Sequence, residues 1–227
     1  GELDYYGLES AVFPPVPFNV DRATFSPGPD MLAKRGGLGA VVLPESRGVL
    51  VIGGEDDDGD YLASTELLDL ETGTFSPGPI MESERFHCGA AVLEDGRVVV
   101  VGGFDGTILS TTEELIPASK SLWSSGPNLA AARLGCAVLP LRNNRILVIG
   151  GTREFSRRSF LATTEIINLT SGTSTPGPEM SCPRHNCSAV MLHNGRVLVI
   201  GGRNSNSTVL LTTEVLDLTS GTSSPGP

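Results

Sequence analysis

Short apolar runs that end on a pair of glycines recur along this 227-residue chain. Arg97–Gly103 reads RVVVVGG, and similar runs occupy Gly48–Gly54, Arg145–Gly151 and Arg196–Gly202. Consecutive β-branched or leucyl residues in so short a run predict a strand that is buried on both faces. Because glycine has no Cβ atom, each pair can adopt positive φ and let neighbouring backbone come close, so we expect it to be structural. The paired glycines are Gly53, Gly54, Gly102, Gly103, Gly150, Gly151, Gly201 and Gly202.

Gly-Pro pairs divide the sequence into intervals of 50, 48, 51 and 49 residues, counted from Gly28 through Gly78, Gly126 and Gly177 to Gly226. In each interval an arginine follows the Gly-Pro pair, and a Thr-Glu pair comes after the paired glycines. A repeat of this length, made of short strands and turns, is typical of a β-propeller, in which each blade is a four-stranded sheet around a central channel. The repeated residues are Arg35, Arg85, Arg133 and Arg184, with Glu66, Glu165 and Glu214, and either Glu113 or Glu114 in the remaining repeat.

Each repeat predicts four strands, which we name A to D in chain order. Strand A, for example Cys88–Leu93, is rich in small residues, as a crowded strand near the axis should be. A turn such as Asp95-Gly96 leads into strand B, which is the apolar run. Strand C carries the glutamate, and a further turn leads into a short outer strand D. The sequence thus predicts one all-β domain over residues 1–227, with complete blades at 28–77, 78–125, 126–176 and 177–225.

Residues 1–27 predict only half of a blade, because Ala23–Pro27 matches the strand-D segment Gly73–Pro77. Four complete blades plus strands C and D of another make an incomplete ring. An open ring would expose the edges and apolar faces of its terminal blades, which is unfavourable for an isolated domain. We therefore expect these residues to be part of a longer protein that is held inside a larger assembly.

The repeat resembles that of the kelch family of β-propellers. The resemblance rests on the paired glycines after an apolar strand, on a Met-x-x-x-Arg segment before strand A, and on an aromatic residue of strand D (Phe25, Phe75 and Trp123). It covers nearly the whole chain and implies a kelch-type propeller, the family that also contains the galactose oxidase-like copper enzymes. The departures are Leu68, Ile167 and Leu216 in place of the family's strand-C tyrosine, and Ser174 and Ser223 in place of its strand-D tryptophan.

The net charge of −10 argues against a nucleic-acid partner and against an anionic membrane surface. No apolar run approaches the length of a membrane span. Cys88, Cys136 and Cys187 share one repeat position and are interpreted as buried free thiols, while a Cys182–Cys187 disulfide remains an alternative. We expect an intracellular protein over a secreted one. Glycosylation triplets, which arise easily by chance in a chain rich in Ser and Thr, begin at Asn168, Asn186 and Asn206.

The repeated arginine and glutamate are interpreted as structural, because a catalytic group is needed once whereas a blade contact is needed in every repeat. We expect them to form partly buried ion pairs across or between blades. A copper site would need imidazoles and a phenolate together. The histidines and tyrosines, which indicate no such group, are His87, His185, His193, Tyr5, Tyr6 and Tyr61. No catalytic residue, metal or cofactor is therefore expected.

Recognition is expected at the end of the blades where the D–A and B–C connections lie together, because loops that vary on a constant scaffold usually carry it. One B–C connection is acidic but lacks the ligand spacing of a calcium loop, and another is basic. We expect a protein partner to dock there. The predicted docking residues are His87, Asn186, Asp56, Asp57, Asp58, Asp60, Arg153, Arg157 and Arg158.

The expected function is a non-enzymatic scaffold for protein–protein interaction. The alternatives are a fragment of a kelch-type enzyme similar to galactose oxidase and a carbohydrate-binding propeller. An enzyme needs convergent polar groups at the channel mouth, where Gly37 and Gly135 supply none. A glycan site usually presents exposed aromatic residues, and aromatic residues make up only 5% of the chain.

Overall fold

The computed structural model of this chain describes residues 27–44, 48–116, 122–154, 159–206 and 208–227. This part of the chain is all-β, without helices, and forms four antiparallel four-stranded sheets. The all-β class and the four complete blades predicted from the sequence are thereby confirmed. The predicted half blade at residues 1–27 lies outside the described residues, except for Pro27.

Every sheet is a simple meander, in which each strand pairs with the next one along the chain. The first strand of each sheet is strand A and the last is strand D. The strands are β1 (Gly39–Leu43), β2 (Gly48–Ile52), β3 (Thr65–Asp69) and β4 (Thr74–Pro77); β5 (Gly89–Val92), β6 (Val98–Val101), β7 (Thr112–Leu115) and β8 (Trp123–Ser125); β9 (Ala137–Leu141), β10 (Arg145–Ile149), β11 (Thr164–Asn168) and β12 (Thr173–Pro176); β13 (Ser188–Met191), β14 (Val197–Ile200), β15 (Thr213–Asp217) and β16 (Thr222–Pro225).

The sheets follow one another as propeller blades do. Their strands A contact each other in chain order, β1 with β5, β5 with β9, and β9 with β13. Three apolar cores fill the spaces between consecutive sheets. In the first of these cores, Leu50 and Ile52 of one sheet pack against Val98 and Val100 of the next. No helix in the described ranges is long and apolar enough to cross a membrane.

Strand B is buried on both faces where a sheet lies between two others. All four valines of β6 are inaccessible to solvent, because their side chains alternate between the cores on either side. The terminal sheets are different. Val42 on the first sheet is 68% exposed, and Ile200 on the face of β14 turned away from the third sheet is 40% exposed.

The repeated arginine and glutamate form a buried ion pair within each repeat, not between blades. In the second blade, Arg85 Nη2 lies 2.9 Å from Glu113 Oε1, and both side chains are almost completely inaccessible. Arg85 Nη1 also donates to the carbonyl oxygens of Gly102 and Thr111, at 2.8 and 3.1 Å. The network therefore joins the segment before strand A to the end of strand B and the start of strand C. The equivalent pairs are Arg35–Glu66, Arg133–Glu165 and Arg184–Glu214.

Glu113, not Glu114, takes the repeated position, since it pairs in register with Val100 of strand B as Glu66 pairs with Val51. The extra residue of this repeat lies in the connection between β7 and β8. Glu114 instead forms an ion pair with Arg97.

The paired glycines all have positive φ. In each of the first three blades, the pair also forms a backbone hydrogen bond with the next blade. Gly102 and Gly103 have φ of 61° and 100°. A Cβ atom on Gly102 would overlap the carbonyl oxygen of Arg133, and a Cβ atom on Gly103 would lie 3.0 Å from the carbonyl oxygen of Phe86. The pair thus ends strand B and fits the backbone of two blades together.

Candidate functional site

A chain of backbone hydrogen bonds links the blades at the end where the D–A and B–C connections lie, which we call the D–A/B–C face. It joins Gly37, His87, Gly135 and Asn186, each two residues after a buried arginine. The amide of His87 donates to the carbonyl of Gly37, that of Gly135 to His87, and that of Asn186 to Gly135, at 2.7, 3.0 and 2.9 Å. All four residues have positive φ, between 51° and 65°. The positions of His87 and Asn186 at this face are therefore set by the backbone.

Gly37 and Gly135 leave room for large side chains of the next blade. A Cβ atom on Gly37 would lie 2.7 Å from Cδ2 of the Phe86 ring, and one on Gly135 would lie 2.6 Å from His185 Nε2. The residue directly after the buried arginine therefore covers the glycine of the preceding blade. These two glycines serve packing between blades, although they supply no polar group.

The B–C connections fold back as short β-bridges on the same face. Glu55 bridges to Gly36 on one side and to Tyr61 on the other, and equivalent bridges occur in the other three blades. In the acidic connection, Asp56 Oδ1 accepts the amides of Asp58 and Asp60, both at 3.0 Å. Asp56 therefore holds its own loop together.

Aromatic rings from neighbouring blades meet on this face. The ring centroids of Tyr61 and Phe86 are 5.8 Å apart in a stacked arrangement, and Tyr61 meets Phe104 edge-on at 5.1 Å. Phe160 and His185 stack at 4.9 Å at the interface of the last two blades. The aromatic pairs were missed from the sequence. A signal was present in two of the four blades, where the residue that directly follows the repeated arginine is aromatic, as Phe86 and His185 show.

The two histidines of this face are both half-buried. Burial lowers the pKa of His87, against a smaller opposing effect of the Glu55 carboxylate. Burial also lowers the pKa of His185, with further contributions from His87 and Arg203. His185 Nε2 is inaccessible and has no hydrogen-bond partner among the described residues. Burial therefore favours the neutral form of both imidazoles, and His185 acts chiefly as a ring that packs on Phe160.

Seven of the nine predicted docking residues are described by the structure, and all seven lie at the D–A/B–C face. Asn186 and Arg153 are exposed, as are Asp58 and Asp60. Asp57 is also exposed and forms an ion pair with Lys34. His87 is half-buried and contacts the Phe86 ring with 4.2 Å between centroids. Arg157 and Arg158 lie outside the described residues.

No protein-family model matches this chain, and no curated protein is significantly similar to it. The chemistry of the D–A/B–C face must therefore be inferred from its own residues. Among the described residues, no group of three or more His, Cys, Asp or Glu side chains is arranged to hold a metal ion. Cys88, Cys136, Cys182 and Cys187 are free thiols. Burial raises the pKa of Cys136 to about 12, so this thiol is a poor nucleophile.

A cavity of about 340 Å³ lies at the opposite end of the blades. Its wall is formed by the ends of the first three strands A, including Val42, Val92 and Leu141. Among the residues that the structure describes, Glu94 is the one charged side chain that lines it. This end is the competing location for a docking surface.

Proposed function

We propose that this chain is a non-enzymatic scaffold of kelch type that binds another protein through the D–A/B–C face. The observation that supports it best is the position of the B–C connections. These connections differ most between blades, and all of them lie at one end of a framework that is otherwise constant. The repeated polar residues that are candidates for catalysis instead make structural bonds in every blade. Arg85, for example, is fully buried and directs its guanidinium to Glu113 and to backbone carbonyls.

The charge of the face is divided between blades. Asp58 and Asp60 are exposed on the first blade, while Arg153 is exposed on the third. A partner that carries basic groups opposite the first blade and acidic groups opposite the third fits this pattern, because complementary charge favours association and fixes orientation.

The packing of the Tyr61 ring against Phe86 and Phe104 favours a protein over a glycan. A glycan site presents a free ring face to the sugar, whereas these rings contact neighbouring rings through their faces and edges. The rings are accordingly assigned to holding the B–C connections in place.

We also propose that the chain works within a larger assembly. Val42 on the first sheet and Val190 and Ile200 on the fourth are 68%, 43% and 40% exposed. In the inner sheets, the positions equivalent to Val190 and Ile200 are packed in the cores between blades. The outer face of the fourth sheet is therefore suited to further protein contacts.

Site-specific photocrosslinking tests the proposed docking face. A photoreactive amino acid at Asp58 or Asn186 is expected to crosslink a partner protein in its native complex, and the charge reversal Asp58→Lys is expected to weaken that complex. The matched control is Glu71→Lys, since Glu71 is an exposed acid of the same blade in the C–D turn at the other end. Crosslinks obtained only from the A–B hairpins, for example from position His193, would show that the proposed face is wrong.

A further inference from the structure

A cavity of about 200 Å³ opens on the third blade, at the edge of the D–A/B–C face. Ala130 and Ala131 of the D–A connection form one wall, and Ser174 and Pro176 of strand D form the other. The buried Arg133–Glu165 pair lines the cavity as well, and the exposed Arg153 stands beside it. Apolar cavities of about 150 Å³ are large enough to accept a benzene ring.

The second blade has a tryptophan where the third has a serine at this cavity. Trp123 pairs in register with Leu115, as Ser174 pairs with Ile167. The Trp123 side chain is 5% exposed, belongs to the same core as Met81, and donates from Nε1 to the carbonyl of Pro79 at 3.0 Å. The indole of the second blade thus spans from strand D to its own D–A connection.

The rim of this space is also closed in the second blade and open in the third. Ser125 Oγ donates to Glu82 Oε2 at 2.8 Å and so ties strand D to the D–A connection. In the third blade the equivalent residues are Pro176 and Ala130, which cannot form that bond. Two changes, the loss of the indole and the loss of the closing hydrogen bond, therefore coincide at one location.

We propose that the third-blade cavity binds an aromatic side chain of the partner protein, with tryptophan as the preferred residue. The ring would take the place that Trp123 takes in the second blade, against the alanine methyl groups. The surroundings suit such a ring, because the Arg153 guanidinium can approach its negative face. The Glu165 carboxylate in the wall is already neutralised by Arg133, and its Oε2 accepts hydrogen bonds from the amide of Ala130 and from Ser174 Oγ, at 2.7 and 2.9 Å. The inference deepens the proposed function and rests on it, since the D–A and B–C connections that border the cavity belong to the proposed docking face.

Titration of the isotope-labelled protein with N-acetyl-tryptophanamide tests the cavity without any partner. Amide resonances of Ala130, Ala131 and Ser174 are expected to shift together, with a Kd on the order of 1 mM. N-acetyl-leucinamide is expected to bind at least about tenfold more weakly, because it lacks the ring.

Two substitutions fill the cavity from opposite walls. Ser174→Trp reproduces the second blade and is expected to abolish the shifts, and Ala130→Leu is expected to weaken binding about tenfold or more. The control is Ser76→Trp, which adds the same indole at an exposed strand position of the first blade and should leave the titration unchanged.

Absence of shifts at these residues up to the solubility limit of the probe would overturn the proposal, as would equal binding of the leucine analogue. Binding that persists in both filled variants would overturn it too. None of these results depends on the crosslinking of a partner at Asp58 or Asn186, so a failure of the cavity and a failure of the docking face are distinguishable.

Discussion

The amide of Gly103 donates a hydrogen bond of 2.9 Å to the carbonyl oxygen of Arg133, the buried arginine of the next blade. The same bond joins Gly54 to Arg85 at 2.9 Å and Gly151 to Arg184 at 2.8 Å. One blade's paired glycines and the next blade's arginine therefore form a single joint. The arginine side chain stabilises its own blade while its backbone holds the preceding one.

Replacing Gly102 with alanine is expected to destabilise the protein by more than about 1 kcal/mol. The new Cβ atom would clash with the Arg133 carbonyl oxygen, and alanine would also be strained by the positive φ of this position. Gly172→Ala is the matched control. Its φ of 70° is close to the 61° of Gly102, but a Cβ atom would meet nothing within 4 Å. Denaturant unfolding of the two variants separates the clash from the backbone strain. Equal losses in both would show that the close approach contributes nothing.

Arg85→Met is expected to cost about 3–5 kcal/mol, because it leaves the Glu113 carboxylate buried without its partner. Arg85→Lys should rescue little of this loss, since an ammonium group cannot reproduce the guanidinium bonds to Glu113, Gly102 and Thr111. Lys34→Met removes an exposed pair with Asp57 and should change stability by less than about 0.5 kcal/mol. Chemical denaturation measures all three. A stability of Arg85→Met close to that of Lys34→Met would contradict the structural role of the buried pair.

The repeat and the strands could be predicted because they depend on local patterns. Apolar runs, turn glycines and a fixed spacing determine each sheet without reference to distant residues. The pairing of Tyr61 with Phe86 could not be predicted, since it depends on how a B–C connection of one blade folds back against the next blade. Gly37 shows the same limit. The sequence reveals that it has no side chain, whereas its function is to make room for Phe86.

The thiols should differ in reactivity according to burial. Burial raises the pKa of Cys88 to about 11 and that of Cys136 to about 12, whereas Cys182 is only half-buried. With a thiol reagent at mildly alkaline pH, Cys182 is expected to react first, and Cys136 only as fast as the protein unfolds.

Mass spectrometry of the labelled peptides measures the order, and Cys182→Ser should remove the fast phase. The reaction also tests the disulfide that the sequence left as an alternative. A fast phase that survives in Cys182→Ser, or the recovery of a Cys182–Cys187 crosslinked peptide from the untreated native protein, would contradict the arrangement of free thiols.

His185→Phe is expected to fold normally and to reduce the pH dependence of stability on the acid side of neutrality. The pKa of His185 is lowered in the folded state, chiefly by burial, so folding favours the neutral imidazole. Its contribution is fully present above the unfolded pKa of about 6.5 and is lost as pH falls through the folded value. Phenylalanine is expected to preserve the packing on Phe160, because Phe86 stacks in the same way on Tyr61 at the equivalent position of the second blade. It also removes the buried Nε2 atom, which has no hydrogen-bond partner among the described residues.

Unfolding free energies measured at several pH values between about 5 and 7.5 therefore give a shallower slope for His185→Phe than for the unchanged protein. His87 also has a lowered pKa, so part of the slope remains in His185→Phe. His87→Asn keeps His185 and tolerates the positive φ of 51° at this position, and the double variant should be the least sensitive to pH. If the double variant kept the slope of the unchanged protein, these two imidazoles would not be the cause of the loss of stability at acidic pH.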